Sequence, residues 1–210
     1  MLRKRNLIIL LSLMILLTIS IWIFQIMNGY VPFVDQWVIE LVEGYADTPL
    51  YSFAFAITHL GSRQFLIPFV FISSVILLLI YKHWLPSLIF AGGTLFSHFI
   101  NGLIKGIIQR ERPSIIVEAN AVGESFPSGH AMVSMVCYGL LAYFITRKVK
   151  ARSISLVIQI ILSFLVFLIG ISRFIINAHY LTDVLAGFVI GFIFLICYIY
   201  LYERLHRKES

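Results

Sequence analysis

Apolar residues run along this chain in long unbroken stretches, without the regular polar interruptions of a soluble helix or strand. Six stretches stand out: Leu7 to Met27, Phe65 to Tyr81, Leu85 to Ile108, His130 to Ile145, Ile154 to Ile171 and Val184 to Tyr202. A membrane-spanning helix takes roughly 20 apolar residues, and in lipid only a helix or a closed barrel satisfies its own backbone. The pattern therefore predicts an all-α polytopic membrane protein with about six transmembrane helices. These spans use nearly the whole of residues 1–210, which reads as a single integral-membrane domain. Two segments break the apolar pattern with clustered polar groups: "QRERPSIIVEANAVGESFPSG" between the third and fourth spans, and "SRFIINAHYLTD" between the fifth and sixth.

Composition supports the same class. Hydrophobic residues make up 60% of the chain and charged residues 12%, and the mean hydropathy is +0.95, which excludes an ordinary soluble domain. The basic start "MLRKRN" resembles that of a signal peptide, but its apolar run is too long and lacks a small-residue cleavage site, so it is expected to stay as the first span. Cys137 and Cys197 lie in separate spans and read as packed, inert thiols. Neither nucleic acid nor an obligate protein partner is indicated; membrane lipids are the expected surroundings.

Charge then orients the bundle. Basic residues stay cytoplasmic, and Arg3, Lys4, Arg5, Lys82, Arg147, Lys148, Lys150, Arg152, Arg204, Arg207 and Lys208 all fall on one side of six alternating spans. Both termini are thus expected in the cytoplasm. The remaining cations, Arg63, Lys105, Arg110, Arg112 and Arg173, map to the outer side, joined by most of the acidic residues, including Glu111, Glu118, Glu124 and Asp183. Asp35, Glu40, Glu43 and Asp47 follow the first span; Glu40, Glu43 and Asp47 share one helical face, which reads as the solvated side of an interfacial helix rather than a metal site. Arg63, beside Gly61 and Ser62, reads as an interfacial anchor, with lipid-headgroup binding as the other reading.

Three outer clusters carry candidate chemistry. In "KGIIQRERP", Lys105 and Arg112 are two helical turns apart and point the same way while the helix lasts, with Pro113 ending it. Thr94, His98 and Asn101 extend that polar face inward, toward the bundle interior or a wet cavity. In "SFPSGH", Ser128 and Gly129 open a helix whose unpaired N–H groups suit an anion, with His130 beside them. In the third cluster His179 and Asp183 are i and i+4, so the carboxylate can accept from one ring nitrogen and leave the other free. Arg173 lies about 240° around a continuous helix from His179, so the chain must bend near Asn177 for both to reach one point. Singly, these residues also read as snorkelling cations, interhelical hydrogen-bonding groups and a capped helix with an interfacial histidine. Together they place three cations, two histidines and an anion-binding helix start at one membrane face, and arginine forks match phosphate oxygens.

The ordered set Lys105-x6-Arg112-Pro113, Pro127-Ser128-Gly129-His130 and Ser172-Arg173-x5-His179-x3-Asp183 resembles the three-part signature of the type 2 phosphatidic acid phosphatase superfamily, the lipid phosphate phosphatases. The resemblance covers residues 105–183 by motif. It implies that His179 is a nucleophile forming phosphohistidine, that Asp183 orients it, and that His130 is the general acid and then the base. It assigns Lys105, Arg112, Ser128, Gly129 and Arg173 to the phosphoryl oxygens and implies no metal and no cofactor. Where the family often has a glycine before the histidine, this chain has Asn177 and Ala178; asparagine tolerates unusual turn geometry, so the bend is expected to survive.

The expected substrate is a lipid phosphate taken from the outer leaflet: undecaprenyl diphosphate or phosphatidylglycerophosphate first, phosphatidic acid third. A lipid phosphotransferase with the same intermediate, or a non-catalytic phospholipid transporter, are the other readings.

Overall fold

The computed structural model describes residues 2–45, 48–114 and 121–209. Its long helices are α1 (Leu2–Met27), α4 (Arg63–Tyr81), α5 (Trp84–Ile108), α6 (Gly129–Lys148), α7 (Arg152–Ile175) and α8 (Leu181–Glu209), and each carries a segment long and apolar enough to cross a membrane. Two short helices, α2 (Phe33–Glu43) and α3 (Pro49–Thr58), and a 3-10 turn (His59–Gly61) fill the connection between α1 and α4. The all-α, six-span expectation holds. The extra helix α3 begins at a local signal, Thr48 accepting from Tyr51 N (3.3 Å) with Pro49 in the first turn.

Helix α6 is the axis of the bundle and packs against α5, α7 and α8. Half of its membrane segment is buried inside the protein, against 6% for α1, which leaves most of α1 facing lipid. Lipid is as apolar as a leucine side chain, so helices here associate through close packing, and small residues mark the seams. Gly187 and Gly191 of α8 are such a pair: a Cβ at Gly187 would stand 2.7 Å from Ser128 O, and one at Gly191 2.6 Å from Met132 O. This approach brings the N-terminal ends of α6 and α8 together, where Ser128 N donates to Asp183 O (3.0 Å).

Gly187→Leu should therefore force the two backbones apart. Overpacking of this kind costs about 1–3 kcal/mol, and the expected result is a lower Tm in detergent together with lower activity. An unchanged Tm would show that the α6–α8 seam is not tight.

The bend near Asn177 is present. Helix α7 stops at Ile175, Asn177 takes a left-handed φ of 56°, and both Ala178 N and His179 N turn back to Arg173 O (3.0 and 3.1 Å) before α8 begins. Ser114 Oγ donates to Asn177 O (2.5 Å), tying the segment after α5 to this turn.

One expectation needs correction. Helix α5 does not run to Pro113: it ends at Ile108, where Gln109 adopts φ 50° and returns its N–H to Lys105 O. Arg112 therefore reaches the site from an irregular segment. Asp35 stands apart from the solvated face expected of Glu40, Glu43 and Asp47. It shares the inner stripe of α2 with Val38 and Val42, is 1% exposed, and points into the bundle because it has a partner there. Asp47 and Glu118 lie outside the described residues, as do the side chains of Glu40 and Glu43.

Candidate active site

One end of the bundle holds a cavity of about 710 Å³, lined by α4, α5, the start of α6, the segment between α5 and α6, and His179 in the turn between α7 and α8. Lys105, Arg112, Glu124, Gly129, His130 and His179 line its polar end. From there it continues between α4 and α5 past Leu66, Ile67, Val70, Phe71 and Leu95 as far as Ser74 and Ala91. At 1.5 Å per residue, Arg63 to Ser74 and Lys105 to Ala91 correspond to about 17 and 21 Å along the helix axes. The three sequence clusters, up to 78 residues apart in the chain between Lys105 and Asp183, thus meet at one place.

His179 is 2% exposed, and its two ring nitrogens have different neighbours. Nε2 faces Arg112 Nη1 at 2.9 Å. A guanidinium only donates, so Nε2 accepts and the ring proton sits on Nδ1. Nδ1 lies 3.5 Å from Asp183 Oδ2 and 3.3 Å from Ser125 Oγ. Ser125 Oγ in turn donates to Asp183 Oδ2 (2.5 Å), which leaves its lone pair for the ring N–H. The carboxylate thus supports the histidine in part through a serine.

Asp183 is fully buried and held from several directions. Oδ2 accepts from Tyr180 N (3.0 Å), the bond by which a third-position acid caps the start of its own helix. Oδ1 accepts from Arg110 Nη1 (2.5 Å). Arg110 also donates through Nη2 to Asp35 (2.7 Å) and through Nη1 to Thr182 Oγ1 (2.8 Å), and it stacks on the Tyr180 ring at 3.8 Å. Asp35 accepts from Thr182 N and Oγ1 (3.0 and 2.6 Å). None of Arg110, Asp35, Ser125 and Thr182 has a role assigned from the sequence; together these four fix the carboxylate behind His179. The available signal was Asp35 itself, at helical spacing with Val38 and Val42.

Of the three cations expected at the phosphate, Lys105 and Arg112 line the cavity, and Arg173 is buried close to Arg112 without lining it. Arg112 donates to the carbonyls of Gly123 (2.9 Å), Glu124 (3.1 Å) and Ala178 (2.8 Å) as well as meeting His179. Lys105 Nζ donates to Glu124 O and Ser125 O. Arg173 is fully buried, with Nη1 on Thr58 Oγ1 (2.9 Å). His130 Nε2 hydrogen-bonds to no described residue. Gly129 lines the cavity, whereas Ser128 is fully buried, its N–H committed to Asp183 O and its hydroxyl accepting from Ala131 N (3.5 Å). The expectation that the Ser128 N–H is open to an anion is thereby revised; at the start of α6 it is Gly129 that borders the cavity. His98 and Asn101 border it too, and Asn101 Nδ2 donates to Pro127 O (3.3 Å).

Electrostatics favour a neutral His179. Burial first, then Arg112, Arg173 and Lys105, hold its pKa well below the usual 6.5. The arrangement combines a neutral, oriented imidazole, a second imidazole lining the same cavity and a surplus of fixed positive charge. Such a set can bind a phosphoryl group and stabilise charge developing on it.

Comparison with known proteins agrees with this geometry. Residues 86–207 match the PAP2 superfamily. The chain is 35% identical over 139 residues to phosphatidylglycerophosphatase B of Bacillus subtilis (strain 168), covering 64% of this chain and 66% of that relative, just under two thirds of its length. The fold matches the crystal structure of a transmembrane PAP2 type phosphatidylglycerolphosphate phosphatase from Bacillus subtilis with a TM-score of 0.76 and 26% identity, over 90% of this chain and 96% of the other. Aquifex aeolicus LpxE matches with a TM-score of 0.56 and 26% identity, over 77% and 93%. With the cation cluster, the paired histidines and the six-helix fold all accounted for, the chain belongs to the PAP2 superfamily, as a compact, membrane-integral member of it.

Proposed function

We propose that this protein is a lipid phosphate phosphatase that hydrolyses phosphatidylglycerophosphate or a similarly presented lipid phosphate through a phosphohistidine intermediate. The observation that carries this reading is the joining of one charged pocket to one apolar groove. Lys105, Arg112 and the two histidines stand at the head of a groove that runs about 17–21 Å between α4 and α5, a length suited to an acyl or prenyl chain. The names of the Bacillus relatives favour phosphatidylglycerophosphate within the class; undecaprenyl diphosphate and phosphatidic acid follow.

In this mechanism the Nε2 lone pair of His179 attacks phosphorus once the phosphate has drawn Arg112 onto its own oxygens. The bond from phosphorus to the lipid oxygen breaks, and His130 gives that oxygen a proton. A phosphate dianion among Lys105, Arg112 and Arg173 supplies the negative charge that a protonated His130 needs beside those cations. Gly129 N–H adds a donor at the start of α6, and the Ser128 hydroxyl, fixed by the same cap, keeps its own proton to offer. The Nδ1 proton stays between Ser125 and Asp183, which stabilise the cationic phosphohistidine. Water then attacks phosphorus, His130 takes its proton, and the P–N bond breaks to return neutral His179 and free phosphate. Two histidines thus divide one difficult displacement into two easier ones.

The site is proposed to face outward, with both termini in the cytoplasm. Arg147, Lys148, Arg152, Arg204 and Arg207 cluster at the opposite end of the bundle, where Arg147 pairs with Glu203. A reporter that works only in the cytoplasm should be active when fused to the C-terminus.

The direct test is phosphate release in detergent from phosphatidylglycerophosphate, undecaprenyl diphosphate and phosphatidic acid, with EDTA present. Free phosphate is expected; a phosphotransferase would move phosphate to an added acceptor lipid, and a transporter would release none.

A pH profile checks the charge argument. Protonated His179 cannot attack, and a depressed pKa keeps the ring neutral as the pH falls through 6.5, so the acid limb of kcat/KM should lie below that value. Arg112→Gln removes one of the cations responsible and should move this limb upward, toward neutral pH. Comparing both proteins on the same lipid cancels the substrate's own ionisation. A limb that stays in place or moves downward would contradict the assignment.

A further inference from the structure

One charged residue bordering the cavity has no part in the mechanism above. Arg63, at the first position of α4, lines the same cavity as His130 and His179, and it makes no hydrogen bond or ion pair with a described residue. Its position follows from the turn before it. Thr58 holds the buried Arg173 (2.9 Å), and a Cβ on Gly61 would lie 3.0 Å from Cδ2 of the His130 ring. The segment from Thr58 to Arg63 therefore braces the pocket on the His130 side.

That side has a chemical meaning. In phosphoryl transfer the attacking and leaving atoms stand roughly in line across phosphorus. With His179 attacking and His130 protonating the leaving oxygen, the rest of the lipid headgroup departs past His130, toward Arg63. A lipid with a second phosphate on its leaving group, whether joined directly or through a glycerol, carries that anion into this region. A lipid with a single phosphate places only uncharged ester groups there.

We infer that Arg63 is a specificity-determining residue that binds the second phosphate of the substrate and so selects two-phosphate lipids over phosphatidic acid. The inference rests on the phosphatase reading and deepens it.

Steady-state kinetics of the wild type and Arg63→Gln on three lipids test it: phosphatidylglycerophosphate, a prenyl diphosphate and phosphatidic acid of matched chain length. A charge-assisted contact to phosphate predicts that Arg63→Gln loses about ten- to hundredfold in kcat/KM on one or both two-phosphate lipids. On phosphatidic acid it should stay within about threefold of wild type, the scale of an exposed substitution. Which of the first two lipids suffers identifies the linkage that Arg63 reads, and Arg63→Lys should recover part of the loss. Equal losses on all three lipids, or no loss on any, would overturn the inference while leaving the phosphatase reading intact. A wild-type protein that releases phosphate from none of them would overturn both.

Discussion

His179→Ala is expected to lower phosphate release by at least about 10³-fold while leaving a folded protein. The size of the effect follows from what is removed: a nucleophile that acts as a unit with its base and orienting groups, whose loss leaves only binding and charge stabilisation behind. The fold should tolerate the change because the structural bond at this position belongs to the backbone. His179 N still reaches Arg173 O, and the Asn177 bend that precedes it does not depend on the ring. His130→Ala removes the acid and base and should cost about 10²- to 10⁴-fold. Phosphate assays paired with thermal unfolding in detergent separate loss of chemistry from loss of structure; normal release from a folded His179→Ala protein would refute the assignment.

Arg110→Met is expected to damage stability and activity together. Arg110 is 8% exposed and bridges two buried carboxylates, Asp35 on α2 and Asp183 on α8. Breaking a buried pair by removing one partner costs about 3–5 kcal/mol, because the partner's charge remains without compensation. Here two charges are left, and one of them positions His179. The Tm should fall and turnover should fall with it. Arg110→Lys should recover little, since a single ammonium cannot span both carboxylates as the guanidinium fork does. A wild-type Tm in Arg110→Met would show that the bridge carries no weight.

The contrast between these two residues shows what can be read from the chain and what cannot. His179 and Asp183 are four apart, so their pairing follows from helix geometry, and the six spans follow from run length and composition. The bend at Asn177 was also legible, because Arg173 and His179 cannot reach one point from a straight helix. Arg110 and Asp35 are 75 residues apart and meet only through the fold. Nothing in the acidic run that follows Asp35 marks it as the buried carboxylate among them. Helix α3 was missed because its apolar run is too short to span a membrane, although Thr48 and Pro49 mark its start. The early end of α5 rests on a left-handed Gln109, a conformation that the residue type does not announce.

The central claim is that His179 takes the phosphoryl group from a lipid. It is tested most directly by mixing the protein with phosphatidylglycerophosphate labelled with ³²P in its terminal phosphate, quenching within the first turnover and locating the protein-bound label. The account predicts label that survives alkali, is lost in acid and maps to the peptide carrying His179, with none on His179→Ala. Label on another residue, or labelled phosphate released by His179→Ala at the wild-type rate, would contradict it.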